Sequence, residues 1–422
     1  MQGVHDKEFA NGLLARRMPL GNLVIFAVLV ISIWIWLNYL YVKQNGVFHA
    51  CGIDYALFIT GSRLIHSDHP IDVFDRDAIV QELRGFATYY GKTEPGDDQI
   101  GPLPYPVPMF WLYTPFSYLD PIRGFKFWVV VNLLIAGFVV WRLCQPLGGL
   151  RAIAAACLAL GFAPMTAAIF FGQPVAVLLL AFYLAYRSLQ RGKDFQAGLF
   201  AGLLFLKVQY PMVLLLVLAL HRRWQAVAGM AVTGSVLLFT SLIVCGLRWI
   251  PAYLDLVQSM SGFREGASIL WPTSMINWRG FLVRHTQLNE ELGKVITTGL
   301  SLVTLASLLL IWRGPWQATS PRFSLRMVAS LLVTILSAYH SHIHGAALLL
   351  VPALDFLVTG APPRLIRYLF IGGYIVTLFM VWATGWGATT AVVVHTAMLT
   401  CLLAILYWEV LGQPTKPAYN TR

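Results

Sequence analysis

The stretch Gly21–Val42, GNLVIFAVLVISIWIWLNYLYV, decides the fold. It carries no charged residue, and an apolar helix of about 20 residues is what a hydrocarbon core requires. It is longer than the apolar stretch of a secretory signal, and Lys43 stands where a small-residue cleavage site would be needed, so it is expected to remain as an uncleaved span. Comparable runs recur to the end of the chain. They are continuous rather than alternating, which points to helices and not to a barrel. Of the 422 residues, 58% are hydrophobic and 12% charged, against about 25% charged in soluble domains. The expected class is an all-α, polytopic membrane protein forming one membrane-embedded domain over residues 1–422.

The formal net charge is +11. The basic residues are scattered singly or in pairs, as in loops retained on the cytoplasmic side, and not clustered as a nucleic-acid footprint would be. No nucleic-acid partner is expected. Cys51, Cys144, Cys157, Cys245 and Cys401 lie far apart and form neither a disulfide framework nor a metal cluster.

Lys7, Arg16 and Arg17 place the N-terminal tail inside, so the first span delivers a long outer loop, residues 43–123. That loop holds Asp54, the polar stretch His66–Pro70 and an acidic Gly/Pro-rich patch near Glu94–Asp98. The apolar segment Tyr105–Leu119 is short and reads as an interfacial or re-entrant helix. With that choice every later short basic loop falls inside: Arg142 with Arg151, Arg187 with Arg191 and Lys193, Arg222 with Arg223, Arg313 with Arg322 and Arg326, Arg364 with Arg367, and Lys416 with Arg422. The result is about twelve spans, near 20–42, 124–143, 151–170, 173–189, 195–208, 209–221, 224–247, 294–312, 326–339, 343–359, 366–385 and 388–411. The fifth and sixth should break at Lys207–Pro211, lining a cavity. A second outer loop covers residues 248–293, and no inverted repeat of the secondary-transporter kind is evident.

This threading gathers polar groups from distant parts of the chain on one face. They are Asp54, Gln173 in the turn Gly172-Gln173-Pro174, Lys207 and Gln209 at the helix break, Arg279 in Asn277–Gly280, and His340, His342 and His344. A carboxylate where a chain leaves the bilayer is a functional hypothesis by default. As a set, the residues suit transfer of a group from a lipid-linked phosphate. The carboxylate accepts a proton from an attacking hydroxyl, cations offset charge growing on the departing phosphate, and amides and aromatics orient the sugar. Plainer roles stand beside each: Asp54 as a helix N-cap, Lys207 snorkelling to the interface, Arg279 in a loop ion pair, Gln173 as a turn residue, and the histidines as packing groups. A metal is not expected, because three imidazoles at alternate positions share a face only on a strand. Asp355, near the inner end of its span, reads as structural. Trp111 and Tyr113 read as an interfacial belt.

The chain resembles glycosyltransferase family 87, a member of the C-superfamily of polytopic glycosyltransferases. The resemblance rests on Gly52, Asp54 and Tyr55 after the first span; on Tyr105–Pro108; on Phe171–Gln173; on Leu206–Gln209; and on His340–Leu354. Val208 stands where the family often has Pro, and Pro174 where it often has Asn. The resemblance implies a GT-C fold with extracytoplasmic loops and no cofactor. It also implies an inverting transfer of a sugar, mannose in several members, from a polyprenyl-phosphate donor to a glycolipid or glycan acceptor on the outer face of the plasma (inner) membrane. On that reading Asp54 is the base. Lys207, Arg279, His340, His342 and His344 hold the donor phosphate, and Tyr55, Gln173 and Gln209 contact the sugar or substrate. The rival reading, a transporter or flippase of lipid-linked sugars, calls for polar residues along a path through the spans, and the span interiors are apolar.

Overall fold

The computed structural model describes residues 19–45, 52–85, 103–265, 271–359, 364–384 and 387–411. Lys7, Arg16, Arg17, Cys51, the acidic patch at 94–98, Lys416 and Arg422 lie outside the described residues. Among those described, the regular structure is helical. In chain order the helices are α1 (Leu20–Asn45), α2 (Ile53–Leu64), α3 (Arg76–Arg84), the single turns α4 (Pro108–Trp111) and α5 (Thr114–Ser117), α6 (Pro121–Cys144), α7 (Gly149–Leu160), α8 (Ala163–Phe171) and α9 (Val175–Gln190). There follow α10 (Asp194–Gly202), α11 (Gln209–Leu220), α12 (Trp224–Cys245), α13 (Trp249–Ser259), α14 (Trp278–His285), α15 (Glu290–Ile311), α16 (Pro321–Ser337), α17 (Leu350–Thr359), α18 (Arg364–Thr384) and α19 (Ala388–Leu411).

Four of these are long and apolar enough to cross a membrane: Pro121–Leu147, which contains α6, then α12, α15 and α19. The pair α7 and α8, bent by 61°, makes a fifth if taken as one span. All twelve predicted segments are helical, but several are short: α9 has 16 residues and α11 has 12. Val232, Val236, Phe239 and Ile243 on α12, and Val295, Leu302, Val303 and Leu309 on α15, form exposed apolar rows. Rows of this extent are foreign to a water-facing surface, and they read as the lipid-facing side.

Small residues set the closest helix crossing. A Cβ added to Gly198 of α10 would lie 2.0 Å from the Ala226 carbonyl of α12, and one added to Gly229 would lie 2.3 Å from the Phe195 carbonyl. Thr233 Oγ1 donates to the Leu199 carbonyl at 2.9 Å across the same seam. In lipid, where apolar association gains nothing from leaving water, such backbone proximity is a main source of helix cohesion. The seam anchors α10, after which the chain tightens into a 3-10 stretch, Leu203–Lys207, before α11 begins at Gln209. The break thus falls at the Lys207–Pro211 position expected from the sequence.

Polar groups away from Lys207 form ion pairs and hydrogen bonds at the other ends of the same helices. Asp355 of α17 accepts from Tyr186 (2.6 Å), Ser324 (2.9 Å), Gln190 (3.0 Å) and Arg187 (3.3 Å). Arg223 pairs with Asp194 at 2.6 Å, and Arg326 with Glu409 at 3.1 Å. Asp355 is therefore structural: each of its oxygens is engaged within the protein. Between the two ends, buried hydroxyls close on their own helices, as Thr297 does on Gly293, Ser330 on Arg326 and Thr334 on Ser330.

Two expectations are corrected. Tyr105–Leu119 is not one interfacial helix but two four-residue turns, α4 and α5, in a Pro-punctuated segment. Tyr113 is not part of a belt: it is fully buried and its hydroxyl donates to the Gly172 carbonyl. Trp111, by contrast, is exposed.

The α10–α12 seam makes a testable demand. Gly198→Ala should destabilise the protein by about 1–3 kcal/mol through overpacking, whereas Gly137→Ala on α6, with nothing within 4 Å of the new Cβ, should be neutral or slightly stabilising. Thermal unfolding of the two purified variants checks this, and equal effects would contradict the seam.

Candidate active site

Two left-handed glycines set the site's backbone. Gly52, at φ 81°, starts α2, and its N–H donates to the Phe170 carbonyl at 2.9 Å, tying α2 to the last turn of α8. Gly172, at φ 77°, ends α8: its own N–H reaches Ile169 O at 3.1 Å and Gln173 N–H reaches Ala168 O at 2.8 Å, a Schellman closure. A Cβ on Gly172 would meet the Tyr55 Cβ at 2.4 Å, so both the backbone angle and the space exclude a side chain. The Gly172 carbonyl then receives Tyr113 Oη and Trp128 Nε1, each at 2.9 Å. The turn is thereby fixed, and Gln173 is presented to Asp54 in the first turn of α2, where the helix N-terminus favours a carboxylate.

Four side chains from four separate elements form one chain of contacts. Gln173 Nε2 donates to Asp54 Oδ2 at 2.7 Å. Lys207 Nζ donates to Gln173 Oε1 at 2.7 Å. The same Nζ lies 3.3 Å from His344 Nε2, which accepts in the tautomer protonated at Nδ1. Lys207 also faces the Tyr105 ring, 5.6 Å from its centroid. Lys207, Gln173 and His344 are buried and Asp54 is half-buried. Asp54 Oδ1 makes no hydrogen bond among the described residues, which leaves one carboxylate oxygen for a ligand.

Burial pushes the Asp54 carboxyl above its usual range, opposed by the Gln173 hydrogen bond and the Lys207 charge. In the loop before His344, the rings of His340 and His342 are 4.7 Å apart, and those of His342 and His344 are 5.9 Å apart. Burial lowers the His342 imidazole to about 4, against the bond to the Ser274 carbonyl and helped by Lys207 and Arg279. His340 is held well below its ordinary value by burial, His342, Lys207 and Arg279. Both are therefore neutral hydrogen-bonding groups near pH 7, and Lys207 supplies the positive charge. Among the described residues no three His, Cys, Asp or Glu side chains converge as a metal site.

Of the other five residues expected at the site, His340 and His342 approach this chain through ring contacts leading to His344, and Arg279, Tyr55 and Gln209 do not join it. Arg279 is wholly buried. It donates to the carbonyls of Phe263 (3.2 Å), Met260 (3.4 Å) and Gly262, and lies over the Tyr339 ring at 4.5 Å. Glu290 accepts the N–H groups of Phe263 and Arg264 in the same loop, so the two side chains clamp it from its carbonyl and amide sides. Tyr55 is fully buried among Tyr113 and Phe125, with ring centroids at 6.1 and 5.4 Å. Gln209 is half-buried at the first position of α11 and makes no side-chain hydrogen bond among the described residues. Tyr105, Tyr113 and Trp128 were not singled out as site residues, although Tyr105–Pro108 stood out as a motif. An open recess at the far end, bounded by Gln190, Arg223, Trp316 and Ser320, contains none of the expected residues.

The profile of glycosyltransferase family 87 matches residues 103–338, more than half of the 422. The match takes in Tyr105, Gln173, Lys207 and Arg279, while Asp54 lies before it and the three histidines after it. No curated protein matches the chain, and no solved structure does.

If the Gln173 amide is what holds the acid and the cation, Gln173→Leu should lower stability by about 2 kcal/mol, because both charged groups lose a buried partner. Gln173→Glu should do more harm by setting a second carboxylate against Asp54. Unfolding midpoints in detergent test this, and wild-type midpoints for both variants would contradict it.

Proposed function

The chain belongs to glycosyltransferase family 87, and from that premise we propose that it is an inverting transferase using a polyprenyl-phosphate sugar. The observation that carries this reading is the Asp54–Gln173–Lys207–His344 chain, in which an acid and a cation are held next to each other without touching. In the proposed reaction an acceptor hydroxyl oxygen attacks C1 of the donor sugar from the face opposite the phosphate. Its proton passes to Asp54 Oδ1. The C1–O bond to the phosphate breaks, and the bonding pair leaves with the polyprenyl phosphate. Lys207 offsets the added charge, with the neutral imidazoles of His344 and His340 as hydrogen-bond donors, while the one N–H of neutral His342 is taken by the Ser274 carbonyl. A phosphate needs no general acid to depart, so one carboxylate suffices, and a single displacement inverts C1.

The proposed sugar is mannose and the proposed acceptor a glycolipid or glycan, both from the family resemblance. The proposed architecture is GT-C, with about twelve crossings in the plasma (inner) membrane and the site on the extracytoplasmic face. In support, Arg187, Arg223 and Arg326 sit at the helix ends remote from Lys207, as cytoplasmic ends should. Arg279 acts in this reading through the loop that it braces and through its charge near His340 and His342.

Asp54→Asn should reduce transfer at least about 1,000-fold, consistent with loss of a general base, while donor binding stays near wild type. Lys207→Met should instead weaken donor binding more than acceptor binding. Steady-state kinetics and direct donor binding separate the two, and an active Asp54→Asn enzyme would falsify the assignment. The pH profile carries a sign. The base works only when ionised, and burial raises its pKa, so the acid limb of kcat/KM should lie above the roughly 3.9 of a free aspartate. Removing the Lys207 charge should move that limb to still higher pH. A limb at or below the free-aspartate value would contradict the buried-base account.

A further inference from the structure

Two tyrosines stand at this chain of contacts, Tyr105 against Lys207 and Tyr210 beside the Gly345 that follows His344. Tyr105 is half-buried, with its ring 5.6 Å from Lys207 Nζ and 5.1 Å from the Phe58 ring that supports it from behind. Tyr210 is buried in the first turn of α11, three residues past Lys207. Its hydroxyl lies where a side chain on Gly345 would have to go, 2.6 Å from the position of that Cβ, and Gly345 directly follows His344. The absence of a Cβ at Gly345 is thus what admits the phenol beside the histidine that touches Lys207. Neither phenol makes a hydrogen bond among the described residues, and neither oxygen is sealed in the core.

Burial, the Asp54 charge, Tyr210 and Tyr253 all raise the Tyr105 phenol. It therefore remains a neutral donor throughout the working pH range. The same interactions put Asp54 and Tyr210 each within electrostatic reach of Tyr105.

We propose that Tyr105 and Tyr210 form the subsite for the transferred sugar, with the Tyr105 ring face against the pyranose and both hydroxyls bonding its hydroxyl groups. The inference rests on the donor reading of the same pocket. In a glycosyl phosphate the sugar is bonded to the phosphate oxygen, so groups flanking the cation that takes the phosphate also flank the sugar. Tyrosine suits this position: it gives an apolar face and a donor–acceptor tip without adding charge beside the acid and the cation. The pair would set which hexose is accepted, while Asp54 and Lys207 act on any glycosyl phosphate.

The test compares binding of polyprenyl-phosphate mannose, glucose and galactose with binding of bare polyprenyl phosphate to the purified full-length protein in detergent. Wild type should bind one of the sugar-bearing lipids more tightly than the bare lipid. Tyr105→Phe and Tyr210→Phe should each shrink that margin about 5-fold, the worth of one hydrogen bond, and leave bare-lipid binding unchanged. The unchanged bare-lipid affinity also serves as proof of folding. Lys207→Met should weaken binding of sugar-bearing and bare lipids alike. A wild type that binds none of these lipids overturns the donor reading itself. A wild type that binds the lipid phosphate with no sugar-dependent margin, or phenylalanine variants that keep the margin, overturns only the sugar subsite.

Discussion

A neutral amide between two opposite charges is the constraint on which the rest of the structure depends. Were Asp54 and Lys207 in direct contact, they would neutralise each other, and neither would be available to a substrate without breaking a buried ion pair. Gln173 prevents this, because its N–H side satisfies the acid and its carbonyl side satisfies the cation. One carboxylate oxygen and one ammonium proton are left without a hydrogen-bond partner among the described residues. The two glycine turns, the Tyr113 and Trp128 bonds to Gly172 and the tether from Gly52 to Phe170 all serve to hold that amide in place. A fold that lost any of them would still be helical, but its acid and cation would no longer be arranged for use.

The distribution of polarity along the helices fits the same account. Charged side chains collect at the helix ends, and the hydroxyls between them close on their own backbone. At the ends away from Lys207 the charges are consumed in protein contacts, as at Asp355, Asp194 and Glu409. At the Lys207 end they are bridged but left open on one side. The helix break makes the difference. The 3-10 stretch Leu203–Lys207 ends with the Lys207 ammonium on the Gln173 carbonyl, and α11 starts afresh at Gln209.

What the sequence revealed follows from cost. Asp54, Lys207 and His344 were legible because ionisable groups among apolar helices are expensive enough to need a reason, and the break was legible from Pro211 beside polar residues. The helical class followed from the continuous apolar runs. The direction in which a side chain points was not legible. Tyr55 and Asp54 are neighbours, yet one turns into an aromatic core and the other toward Gln173. Arg279 read as a phosphate ligand because the second outer loop puts it on the face of the other polar groups, and its partners are backbone carbonyls, which leave no mark on side-chain identity. Tyr113 was indistinguishable from an interfacial tyrosine until the Gly172 carbonyl stood opposite it.

On the proposed reading this arrangement transfers a sugar from one bond to another and does not simply carry a lipid across the bilayer. Detergent solution removes the compartments on which transport depends. The purified protein should therefore be given polyprenyl-phosphate mannose labelled in the sugar, with the lipids of its own membrane as the acceptor pool. The account predicts label covalently joined to an acceptor and an equal amount of polyprenyl phosphate released. Donor that binds and returns unchanged from every acceptor would contradict it.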